Sequence, residues 1–139
     1  VRNPDDAERD GAVRALHYLA KHHATQRSIG LEWRVMRDHP ATACHPELVE
    51  VIRLSAADAM AGVPLEMPSG AGHDAVTMAS VLPVGMMFVR CLGGVSHNPA
   101  ESVAGEDVAM AVAALDNVLD NLAERSRGQA AAAKELQFQ

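Results

Sequence analysis

Gly85-Met-Met-Phe-Val-Arg-Cys91 decides the fold class. It is short, almost wholly apolar and bounded by turn residues, which reads as a strand buried on both faces inside a helix-covered sheet. Two polar turns flank it, Ser69-Gly-Ala-Gly-His-Asp74 before and Gly94-Val-Ser-His-Asn-Pro-Ala-Glu101 after. Each sets a histidine on backbone freed by turn residues. A strand between them brings both imidazoles, His73 and His97, to one edge of a sheet. Imidazole binds metal or stabilises developing charge at neutral pH, and ligands of open α/β sheets bind at such an edge.

Outward from this stretch, the pattern alternates helix and strand. Val1-Arg2 reads as a strand end. Asn3-Pro4-Asp5-Asp6 is a helix start, with a capping Asn, Pro at the first helical position and acids near the positive dipole end. Val13, Leu16, Leu19 and Ala20 follow at helical spacing and Gly30 closes the helix. Leu31, Trp33 and Val35 alternate with Glu32, Arg34 and Arg37, which predicts a half-buried strand. Asp38 to His45 is a loop. Pro46 opens a second helix with Leu48, Val51, Ile52 and Ser55 on one face, ended by Gly62 and Pro64. After Pro68–Gly72 a short helix runs through Met78. Gly93-Gly94 is a turn, and Glu106-Asp107 begins a long helix with Val108, Ala111, Val112, Leu115, Val118, Leu119 and Leu122 along its apolar stripe. Gln129 to Gln139 reads as a frayed, Ala-rich helical tail. The fold class expected is α/β.

Bulk properties narrow the function. The 139 residues amount to one domain's worth and are enough for a core. The net charge of −6 and the absence of a basic stripe argue against a nucleic-acid partner. Cys44 and Cys91 are too few for a disulfide framework, so reduced thiols and a cytoplasmic setting are expected. No apolar run reaches membrane-spanning length, and the charged stretch Val1–Asp10 is no signal peptide. With aromatics at 3%, the core must rest on Val, Leu, Met and Ala.

From the residues alone, His97 is either a metal ligand or a loop histidine bonded to backbone. One lone histidine favours the loop reading, because metal sites need three or four ligands. Glu101 either holds the other ring nitrogen of His97 or is a solvated acid near the next helix, the second being preferred. His73 follows two glycines at a helix start, where outward N–H groups bind an oxyanion; an incidental turn histidine is an equal reading. Arg2 suits bidentate grip of a carboxylate, although a terminal arginine is ordinarily solvated. His22 and His23 read as surface, Met86, Met87 and Phe88 as core, Cys91 as inert, and Trp33 as strand packing with an interface role as the lesser option.

Taken as a pair, Pro68–Ala75 and Gly94–Glu101 resemble the C-terminal part of the M20-type dinuclear metal amidohydrolases. The branch they resemble is that of N-carbamoyl-L-amino-acid hydrolases, allantoate amidohydrolases and β-ureidopropionases. Val1-Arg-Asn-Pro-Asp-Asp6 is similar to that family's Asp-Ile-Arg-His-Pro-Asp-Asp stretch, and the similarity runs to about Leu122. The resemblance implies a catalytic α/β domain with an inserted dimerisation domain. Residues 1–37 are then the last β-α-β piece of the insert, 38–126 the C-terminal part of the catalytic domain, and 127–139 a polar tail. It implies His97 as the final metal ligand and His73 as the histidine that polarises the scissile carbonyl and stabilises the oxyanion. Gly72 matches a backbone contact to substrate, and Arg2 the arginine that binds the substrate's carboxylate.

The implied reaction is hydrolysis of a linear amide C–N bond in an N-carbamoyl-L-amino acid or allantoate. Two divalent metals (Zn, Mn, Co or Ni) activate a bridging water and a glutamate serves as general base. The implied assembly is a cytoplasmic homodimer acting on a small ureido substrate, with no nucleic-acid or membrane partner. The family's His-x-Asp, bridging Asp, Glu-Glu pair and other metal-binding His are expected upstream of Val1. Asn3 stands where His is common, and Ala104-Gly105 replaces a better helix cap. One histidine cannot hold two metals, so the isolated chain is expected to be inactive, with the Gly85–Cys91 strand lacking a neighbour on at least one side. The alternative is a non-catalytic remnant or dimerisation module of the same family.

Overall fold

The computed structural model describes residues 1–136, with side chains through Gln129. Its elements are α1 (Asp6–Gln26), α2 (Pro46–Met60), α3 (Asp74–Met78), a 3-10 turn (Leu92–Gly94) and α4 (Gly105–Leu136). The chain divides into two units, Val1–Ala43 with Pro68–Val76, and Cys44–Met67 with Thr77–Gln139.

In the first unit, α1 begins two residues later than the sequence pattern indicates. Asp5, not Asn3, is the cap: its Oδ1 accepts from the Ala7 and Glu8 N–H groups at 2.8 and 3.1 Å. Asn3 instead accepts from the Asp5 N–H at 2.7 Å and shapes the turn before the helix. A carboxylate beats a neutral amide here, because it faces both orphan donors and the positive dipole end. The helix closes before Gly30. The Ile29 N–H donates to Ala24 O at 3.0 Å and the Ser28 N–H to Thr25 O at 3.1 Å, a Schellman closure with Ser28 at φ +52°.

Arg9 fixes the chain after the expected strand to this helix. Its guanidinium pairs with Asp6 and Asp10, reaches Asp38 at 3.2 Å and donates to His39 O at 2.7 Å, while Asp6 accepts the Ala41 N–H at 2.9 Å. Trp33 lies against α1 with its ring stacked on His17 at 4.8 Å. Ala24 is buried, whereas Leu16 and Leu19 are exposed.

The second unit is built on α2 and α4, which pack together. Val51 and Ser55 of α2 and Ala114 and Val118 of α4 are buried. Ser55 is wholly enclosed, and its hydroxyl accepts from Asn121 Nδ2 at 3.2 Å, so the buried polar group is matched rather than stranded. Small residues at Ala114 and Ser55 let the helices approach. The face that meets α2 differs from the one the sequence marked. Met110, Ala111, Ala114, Val118 and Leu122 turn inward, whereas Val108, Val112, Leu115 and Leu119 are exposed. The helix is apolar around more than one face, and α2 covers only one.

On the exposed side of α2, Arg53 holds Glu50 by two contacts of 2.7 Å. Those hydrogen bonds keep the Glu50 carboxyl below the usual carboxylate range. The small support this surface pair gives is present above that range and is lost as pH falls through the lowered value.

The predicted strands are not formed. Among the described residues none is assigned to a strand, including Val1-Arg2, Leu31–Val35 and Gly85–Cys91. A strand exists only by pairing its N–H and C=O groups with a neighbour, and no described segment supplies that ladder. Gly85–Cys91 is instead tied at its two ends. The His45 N–H donates to Val84 O at 2.8 Å, and the Leu92 N–H to Ser102 O at 2.8 Å. Met86 and Met87 are half-buried and Phe88 is exposed, so burial on both faces is not realised. Arg90 pairs with Asp107 in the first turn of α4 at 3.2 Å.

Gly85 permits the segment to lie on α2: a Cβ there would stand 2.7 Å from Ile52 Cδ1 and 3.1 Å from Leu48 Cβ. Ile52 can rotate away, but Leu48 Cβ cannot. G85A is therefore expected to destabilise the second unit by about 1–3 kcal/mol, read as a lower urea midpoint. At the end of α2, Ala61 rather than the neighbouring Gly62 occupies the left-handed position, at φ +49°, with the Gly62 N–H donating to Ala57 O at 3.2 Å. A61G is expected to raise the midpoint by an amount equivalent to about 1 kcal/mol.

Candidate functional site

His97 stands in the second unit on a turn prepared by Gly93 and Gly94, at φ +63° and +68°. His97 itself is left-handed, at φ +56°, although it carries a side chain. The turn is knitted by four hydrogen bonds. Asn98 Oδ1 accepts from the Ala100 N–H at 2.9 Å and Asn98 O from the Glu101 N–H at 2.9 Å. Glu101 Oε2 accepts from the His97 backbone N–H at 2.8 Å, and Ser96 Oγ meets His97 Nδ1 at 2.8 Å. The ring is exposed and its Nε2 has no hydrogen-bond partner among the described residues.

Two sequence readings change here. Glu101 is neither a holder of the ring nor a merely solvated acid: it grips the backbone of His97. The ring nitrogen is held by Ser96, which the sequence reading did not single out. The signal was present as a hydroxyl directly before the histidine.

His73 belongs to the first unit and lies just ahead of α3, its carbonyl accepting from the Val76 N–H at 3.0 Å. Its Nε2 meets Ser69 Oγ at 2.6 Å, and the same hydroxyl accepts from the Ala71 N–H at 3.1 Å. Ser69 thus joins the glycine-rich turn to the imidazole and was also missed, although it stands four residues before His73. Gly72 is exposed, with open space where a Cβ would be. Arg2 is exposed and forms no ion pair among the described residues.

The remaining candidates are of lesser chemical interest. His22 and His23 are exposed, their rings edge-on at 5.5 Å, in keeping with a surface position. Cys44 and Cys91 are free thiols, each half-buried.

Among the described residues no three His, Cys, Asp or Glu side chains converge as a metal site. His97 nonetheless fits the part of one ligand. Metal-binding imidazoles present one nitrogen outward while the other is held by a hydrogen bond, and Nε2 and Nδ1 are so disposed. Closed structural sites take four protein ligands, and catalytic ones three, so these residues do not hold a metal without further donors.

The model of peptidase family M20/M25/M40 matches residues 4–121. Among curated proteins the chain is 38% identical over 131 residues to a probable allantoate deiminase of Oryza sativa subsp. japonica, covering 86% of this chain and 26% of that protein. It is 36% identical to an allantoate deiminase of Arabidopsis thaliana, over 87% of this chain and 24% of that protein. An N-carbamoyl-L-amino acid amidohydrolase of Geobacillus stearothermophilus is 34% identical, over 84% of this chain and 28% of that protein. The chain thus spans about a quarter of the length of the curated relatives it matches. No solved structure matches it. The matched span takes in both histidine turns and most of α1, α2 and α4 and is the larger part of the sequence, and the chain belongs to peptidase family M20/M25/M40.

Proposed function

We propose that the chain is the C-terminal portion of a metal-dependent amidohydrolase that cleaves a linear amide C–N bond in N-carbamoyl-L-amino acids or allantoate. The observation that carries this reading is His97, with Nδ1 held by Ser96 and Nε2 open. The names of the relatives supply the substrate class. In this reading residues 1–37 end a dimerisation insert of an α/β enzyme, and 38–126 belong to its catalytic domain. Gly85–Cys91 becomes a strand once a neighbour supplies the ladder.

His97 would contribute one ligand to a two-metal centre. When bound, the metals supply a water of lowered pKa and neutralise charge on the substrate oxygen. Three further roles fall to this chain's own residues. Arg2 binds the substrate's carboxylate through paired N–H donors. The Gly72 backbone offers an unobstructed approach to the substrate. His73, oriented by Ser69, donates a hydrogen bond to the carbonyl oxygen as negative charge develops there. A second reading, a non-catalytic module that docks onto an intact subunit, is favoured by the exposed Leu16 and Leu19 on α1. Capture of a full-length relative by this chain supports it.

The 139-residue chain, supplied with Zn, Mn, Co or Ni, is expected to release no ammonia from N-carbamoyl-L-amino acids or allantoate; measurable hydrolysis would refute the assignment of the other ligands elsewhere. Exchange of this segment for its counterpart in the Geobacillus stearothermophilus enzyme is expected to retain hydrolysis. In that chimera H97A or H73A should cut kcat by at least about a hundredfold, and unimpaired variants would remove both residues from the mechanism. H97G in the isolated chain is expected to raise thermal stability by about 1 kcal/mol, because glycine relieves the left-handed strain while only an exposed side-chain hydrogen bond is lost.

A further inference from the structure

We infer that Glu101 and Ser96 are positioning residues that fix the backbone and the ring of His97, an assignment that rests on the reading of His97 as a metal ligand. A side chain at φ +56° is uphill for any residue but glycine. It persists only where the surroundings over-determine it. Glu101 supplies that constraint. Its carboxylate accepts the His97 N–H at 2.8 Å, a charge-assisted bond that spans the Asn98-Pro99-Ala100 turn. Asn98 closes the same turn through its side chain and its carbonyl, so Glu101 is itself held in place.

Ser96 fixes the other degree of freedom. A neutral imidazole carries one N–H, and a metal takes the nitrogen without it. In this assignment Nδ1–H is the donor to Ser96 Oγ, 2.8 Å away, and the lone pair is left on Nε2, the nitrogen with no partner among the described residues. The two contacts divide the work. Glu101 sets where the ring leaves the chain, and Ser96 sets which nitrogen faces outward. Loss of such a supporting contact at a metal site commonly weakens metal binding about tenfold to a hundredfold.

The test reads the ring and the amide in the full 139-residue chain, with His97→Asn to identify the His97 ring signals, and reads metal retention in the chimera with the Geobacillus stearothermophilus enzyme, with Zn²⁺ alone as probe. Proton–nitrogen correlation spectra of the neutral ring should show the proton on Nδ1 in the wild type and a shift toward Nε2 in S96A. E101A should speed exchange of the His97 amide about tenfold and weaken Zn²⁺ retention by the chimera by a similar factor. E101Q, whose amide oxygen still accepts the N–H, should stay within about twofold of wild type in both. A wild-type ring protonated on Nε2 overturns the role of Ser96. An unchanged E101A, or an E101Q as impaired as E101A, overturns the role of Glu101. If ring and amide behave as expected but H97A leaves Zn²⁺ retention by the chimera unchanged, the metal-ligand reading falls instead, and the assignment with it.

Discussion

The second unit depends on one contact, the close approach of α2 and α4 around Val51, Ser55, Ala114 and Val118. It works because two demands are met together. The residues at the seam are small enough for the helices to come near, and the one polar group enclosed there finds Asn121. A larger residue at Ser55 would push the helices apart, and an apolar one would leave Asn121 with only its own helix carbonyl at Asn117. The rest of the unit hangs from this pair. The His45 N–H at the start of α2 takes the carbonyl of Val84, and the first turn of α4 takes the guanidinium of Arg90.

What was legible in the sequence was local. Pro46, the 3.6-residue spacing of Leu48, Val51 and Ser55, and the acids at 106–107 mark α2 and α4, because capping and periodicity are properties of neighbouring residues. Cap choice was legible only to within two residues: Asn3 and Asp5 are both good caps, and the contest is decided by which carboxyl or amide oxygen reaches two N–H groups. The inward face of α4 was not legible, since its apolar residues ring the helix and only the partner decides which of them is covered. The strands were least legible of all. Alternation in Leu31–Val35 and apolarity in Gly85–Cys91 are necessary for a strand, but pairing is supplied from outside the segment.

The same distinction runs through the candidate site. The two histidine turns were visible because glycine, serine, asparagine and proline fix backbone geometry on their own. Their hydrogen bonds are likewise local, spanning one to four residues. Each imidazole therefore arrives with its orientation largely set by its own turn. The invisible part was the job of each supporting atom. By sequence Glu101 is a candidate partner of the ring, and only the left-handed backbone of His97 shows why a carboxylate is wanted at the main chain instead.

Gly85 extends its influence beyond its own contact. The chain runs from its seat on α2 through Arg90 and the Leu92–Ser102 bond to the Gly93-Gly94 turn and then to His97. Because the glycine rests against Leu48 and Ile52 with nothing between, it sets the depth at which that whole arm starts. An added methyl acts at the root of a lever whose tip is an imidazole twelve residues away. On the proposed reading of His97 as a metal ligand, chemistry that tolerates only fractions of an ångström at its ligands would take part of its tolerance from a residue that carries no side chain.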